Sequence, residues 1–87
     1  MKITFTTDRG IPLALSNLII EKGMSVYDIE DVIEDAVDKG LSAMAIATML
    51  NNLHLDTRFE ANRTKDGYIR LRGKDLFGNV RYLIIRK

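Results

Sequence analysis

Tyr68, Arg70, Arg72 and Lys74 stand at every second position of one short segment, with Ile69 and Leu71 between them. On an extended strand that spacing sends all four side chains to one face. Arginine and lysine neutralise phosphates, and a tyrosine ring gives a base a flat surface to stack on. The chemistry on offer is a grip on nucleic acid. Arg58 joins this face if the preceding strand pairs with the segment. Arg81 joins it if the odd-numbered residues of the last strand face outward. No loop carries a base-reading motif, so little sequence preference is expected. Exposed strands also carry cations to protect edges and maintain solubility, an alternative that needs no ligand.

A second cluster has the opposite sign. Asp28, Glu30, Asp31, Glu34, Asp35 and Asp38 crowd one helical segment. Like charges four residues apart cost a helix about 0.2–0.5 kcal/mol per pair, and only Asp35 and Lys39 are matched at that spacing. Asp28, Asp31, Asp35 and Asp38 are therefore candidate contacts to a basic site on a partner protein, which is the second functional reading. The alternative is a solvated face, or one that complements the protein's own cations. Residues 1–55 hold four Lys or Arg against eight acids, a net of −4. Residues 56–87 hold nine against four, a net of +5, so the overall +1 conceals a dipolar chain.

Catalytic chemistry has little to work with. The absence of cysteine excludes thiolate metal sites, disulfides and a cysteine nucleophile. His54 is the only histidine, which excludes multi-histidine metal sites and most catalytic triads. Gly73-Lys74-Asp75 lacks the upstream glycine and the hydroxyl residue of a phosphate loop. Ser25 and Ser42 suit helix caps, and Met44 and Met49 suit core filling. No enzyme activity, no metal and no cofactor are expected.

These side chains need elements to position them. In 87 residues, 46% hydrophobic and 29% charged, there is room for one domain spanning 1–87. No apolar run approaches membrane length and no signal peptide is evident, so the expectation is a cytoplasmic protein without membrane contact. Lys2 to Thr6 alternates as a strand. Pro12 suits the first turn of a helix over Leu13 to Lys22, with Gly23 as its stop. Ser25 with Asp28 forms a capping box for a second helix, whose Ile29, Val32, Ile33, Ala36 and Val37 share a face before Gly40 ends it. Ser42 caps a third helix, Ala43 to about Leu53, apolar almost all round and so expected to be the buried one.

Beyond Leu53 the period becomes two. Thr64-Lys65-Asp66-Gly67 has the form of a type I turn closed by a left-handed glycine. That geometry makes paired residue numbers add to 132, which sets Ala61 against Leu71, Phe59 against Gly73 and Glu60 against Arg72. A last strand, Val80 to Arg86, follows a turn near Asp75 to Asn79. The pattern predicts an α+β domain, β-α-α-α-β-β-β, with three helices on one face of an antiparallel sheet. A winged helix-turn-helix is the alternative, with Arg58 to Lys65 as recognition helix and Thr57-x-x-Glu60 as its cap. In the preferred arrangement Val80, Tyr82 and Ile84 face the core and Arg81, Leu83, Ile85 and Lys87 face outward. Leu83 and Ile85 would then form the interface of a homodimer.

Overall fold

The computed structural model describes residues 1–18, 25–53, 55–62 and 67–86. Alternation at the N-terminus yields strand β1 (Lys2–Thr7), which turns through Asp8-Arg9-Gly10 into the two-residue β2 (Pro12–Leu13). Helices α1 (Val26–Asp38) and α2 (Ala43–Asn51) follow, then strands β3 (Thr57–Asn62), β4 (Ile69–Asp75) and β5 (Val80–Arg86). The strands form one antiparallel sheet in the order β2-β1-β5-β4-β3. The α+β class holds, with a five-stranded sheet and two α-helices among the described residues in place of the expected three.

The missing helix is the one assigned to Pro12. Pro12 and Leu13 extend along β1 as an edge strand, where a proline interrupts no hydrogen-bond ladder. Leu15–Asn17 make a single 3-10 turn. The rest of that segment, with its stop Gly23, lies outside the described residues, as do His54 and Lys87.

The capping signals of α1 are realised. Asp28 N–H donates to Ser25 Oγ at 3.3 Å, and Ser25 N–H donates back to Asp28 Oδ2 at 2.8 Å. The N–H and then the hydroxyl of Ser25 hold the Asp28 carboxyl below its ordinary pKa. At the other end Gly40 adopts φ +74°, the left-handed geometry that lets Gly40 N–H reach Val37 O and Leu41 N–H reach Ala36 O. Ser25→Ala removes the cap and is expected to lower stability by about 1 kcal/mol in urea titrations. An unchanged midpoint would show that this helix end contributes nothing.

Helix α2 is not buried all round. Ile46, Ala47 and Leu50 enter the core, but Met44 is 71% exposed and Met49 only partly covered. The open side carries Ser42, Met44, Ala45, Thr48 and Asn52. A helix on a single sheet has solvent behind it whatever its composition.

Both helices lie on one face of the sheet. Ile29, Ile33, Ala36 and Val37 of α1 join those α2 residues over Phe5, Phe59, Leu71, Leu83 and Ile85. Among the described residues no helix is long and apolar enough to cross a membrane. Register assigns every strand residue to this face or the opposite one. Ile3 pairs with Ile85 and Ile85 with Ile69, while Phe5 pairs with Leu83 and Leu83 with Leu71. The β3–β4 register is the expected one, with Ala61 on Leu71, Glu60 on Arg72 and Phe59 on Gly73, and Gly67 has φ +73°. Because Thr57–Asn62 is a strand, the recognition helix of the winged alternative does not exist. Beyond β3, Asn51 of α2 imitates a neighbouring strand. Its Nδ2 donates to Phe59 O at 2.8 Å and its Oδ1 accepts from Phe59 N–H at 2.7 Å.

The facing of β5 is reversed from expectation. Leu83 is 0% exposed and Ile85 2%, both beneath the helices, while Val80, Tyr82 and Ile84 lie on the uncovered side. β5 also sits between β1 and β4 with no free edge. Leu83 and Ile85 are core residues of one chain and offer no dimer interface.

Candidate functional site

The uncovered face of the sheet collects the even-numbered strand residues. β4 contributes Arg70, Arg72 and Lys74, with Tyr68 just before it. β3 contributes Arg58, Glu60 and Asn62. β5 adds Val80, Tyr82, Ile84 and Arg86, and β1 adds Lys2, Thr4 and Thr6. Among the described residues of these strands, six cations (Lys2, Arg58, Arg70, Arg72, Lys74, Arg86) share the face with one carboxylate, Glu60. Antiparallel pairing brings them together from four strands in a layer about 15 Å wide at the usual strand spacing.

Two arginines lie over tyrosine rings. The Arg70 guanidinium carbon is 4.1 Å from the Tyr82 ring centroid, and that of Arg86 is 4.7 Å from the Tyr68 centroid. Such pairs are worth about 0.5–1 kcal/mol when exposed and keep the guanidinium over the ring. Arg70 Nε is buried with no acceptor among the described residues, so stacking orients this side chain in place of an ion pair. Arg72 is tied to Glu60 at 3.2 Å in the cross-strand pair expected from the register. Between β3 and β4 a shallow groove runs past Arg58, Glu60, Arg72 and Lys74 and ends at Leu76.

The structure thus brings together Arg58, Tyr68, Arg70, Arg72 and Lys74 of the expected set. Arg81 is the exception. It lies on the helix side opposite Gly73, its side chain 19% exposed, and pairs with Asp75 at 3.1 Å. Asp75 is itself buried. Burial opposes its ionisation, yet the N–H and side-chain amide of Asn79, the N–H of Phe77 and the Arg81 charge together hold its carboxyl below the ordinary range. This buried ion pair locks the β4–β5 turn and is not part of the exposed face. In its place the structure supplies Tyr82 and Arg86, which the expected facing of β5 concealed, and Lys2, which the pairing of β1 with β5 brings in.

The acidic cluster faces away. Asp31, Glu34, Asp35 and Asp38 are exposed on the outer side of α1, in the layer opposite the basic face. Asp28 is occupied by its cap, and Asp35 pairs with Lys39 at 2.9 Å. Among the described residues no α1 carboxylate pairs with a strand cation, so the cluster does not neutralise the protein's own basic face. Comparison with protein-family models, curated proteins and solved structures finds no match to this chain.

Proposed function

We propose that the chain is a non-enzymatic nucleic-acid-binding domain that holds a strand along the open face of its sheet with little sequence preference. The observation that carries this reading is the face itself: six cations against one carboxylate among the described strand residues, with Tyr68 and Tyr82 set among them. Cations attract phosphates and release their counterions, which makes binding steeply dependent on salt. Tyrosine rings and stacked guanidiniums both accept the flat face of a base, whatever its identity. Single strands use both features at once, because their bases are free to splay.

Arg70→Ala/Arg72→Ala removes two phosphate partners. In fluorescence-anisotropy titrations with a labelled single strand, the slope of log affinity against log salt should fall by about 1.4, two contacts at ~0.7 each. The fold should persist, since both side chains lie on the uncovered face. Failure of the unmodified protein to bind single- or double-stranded RNA or DNA at low salt would end this reading.

A further inference from the structure

Leu76 and Phe77 form the tip of the turn between β4 and β5, 84% and 86% exposed. Two large apolar side chains so open to water, in a domain with a sound core, call for an explanation. They are not there through slackness of the loop. Asp75 Oδ1 accepts from Phe77 N–H at 2.9 Å and from Asn79 N–H at 2.8 Å. Asp75 N–H and O close the turn on Asn79 O and Gly78 N–H at 3.0 and 3.1 Å. The tip is a fixed presentation of two apolar groups.

We propose that this tip is a base-stacking wedge: an unpaired or terminal base of a strand lying on the basic face stacks on Phe77, with Leu76 against its edge. The proposal rests on the nucleic-acid reading of that face and extends it to the bases. Phenylalanine and leucine are side chains that proteins insert against or between bases, and aromatic stacking tolerates any base. The tip adjoins the face, because only Asp75 separates it from Lys74 and Leu76 lines the groove that Arg58, Arg72 and Lys74 share with Asp56, Glu60 and Asp75. The direction of the cations selects the occupant. From Val80, level with Lys74, to Arg86 is six residues, about 20 Å along the strand and away from the tip. A lipid surface touching the tip would feel only charges within a Debye length of about 10 Å. A nucleic-acid strand can follow the whole row and still deliver a base to its end.

The chain has no tryptophan, so Phe77→Trp places a single fluorescent reporter at the tip. A short oligo(dT) is expected to quench this indole on binding. An abasic strand with the same number of phosphates should bind the face and leave the emission unchanged. Leu76→Ser/Phe77→Ser, whose exposed positions leave the core intact, should weaken oligo(dT) binding about tenfold with the salt slope preserved. Three results overturn the wedge and leave the face reading standing. These are binding of oligo(dT) without quenching, equal quenching by the abasic strand, or unweakened binding by the double serine variant. Emission that shifts with phosphatidylserine vesicles but not with oligo(dT) assigns the tip to membranes and also overturns it. No binding of either strand at low salt removes both proposals together.

Discussion

Asp75→Ala is expected to destabilise the domain by about 3–5 kcal/mol, the usual consequence of stripping one partner from a buried ion pair. Three donors on Phe77 and Asn79 lose their acceptor, and the largely covered Arg81 guanidinium loses its counter-charge. One terminal nitrogen of Arg81 is already buried with no hydrogen-bond partner among the described residues. At about 4–8 °C per kcal/mol for a domain of this size, the melting temperature should drop by more than 10 °C. Arg81→Met added to Asp75→Ala should recover part of the loss, because an apolar side chain leaves no charge uncompensated. The pH dependence has a definite sign. The folded carboxyl ionises below the unfolded one, so its contribution is complete above the ordinary carboxylate range and is lost as pH falls through the folded value. Urea titrations at descending pH should therefore show a shallower acid loss in Asp75→Asn than in the parent. A loss below about 1 kcal/mol in Asp75→Ala would show that water already screens the network.

Gly73 should tolerate no side chain. A Cβ there would sit 2.5 Å from Thr57 Cγ2 and 2.8 Å from the nearest ring carbon of Phe59. Both neighbours are buried on β3, Phe59 directly across the ladder and Thr57 diagonally, opposite Asp75, so neither can swing aside into solvent. Phe59 lies over the glycine and fills the space a side chain would take. Gly73→Ala is expected to cost about 2–3 kcal/mol by overpacking, and Gly73→Val to prevent folding. Phe59→Leu combined with Gly73→Ala should lose less than the two changes added separately, the mark of direct contact in a double-mutant cycle. A change under about 0.5 kcal/mol for Gly73→Ala would mean that β3 can lift away freely and that this packing account is wrong.

That Phe59 faces Gly73 was legible in the sequence, and the reason is local. The turn expected from Thr64-Lys65-Asp66-Gly67 implies the parity of the hairpin, and apolar residues then meet apolar ones on one side only. The facing of β5 was misread because Val80 to Ile85 is apolar at both parities, so alternation alone cannot choose. The deciding signal was present, since Asp75-Leu76-Phe77-Gly78 repeats the form of Thr64-Lys65-Asp66-Gly67. The same rule sets Asp75 opposite Asn79 and hence Leu83 opposite Leu71, as observed. Applied there, it would also have moved Tyr82 and Arg86 onto the basic face and Arg81 off it. The placement of β1 beside β5 had no such local cue, because it depends on which apolar strand completes the core. Pro12 fits a helix start and an edge strand equally well, and pairing with β1 decides between them. The acidic stripe was readable as a stripe, but only packing shows that it lies in the layer opposite the cations.

Both borders of the sheet are partly blocked to further strands. On one side Asn51 occupies the outward N–H and C=O of Phe59. On the other the border strand is two residues long and includes Pro12, which has no N–H to donate. The segment from Tyr82 to Ile85, with no charge in four residues, is the part of the chain best suited to stack into fibrils, and it is fenced on each side by β1 and β4. Protection of this segment from self-pairing is therefore a property of the folded state, not of composition. Variants that open the sheet, at Gly73 or Asp75, are expected to expose this segment, so that their thermal unfolding ends in aggregation while that of the parent reverses.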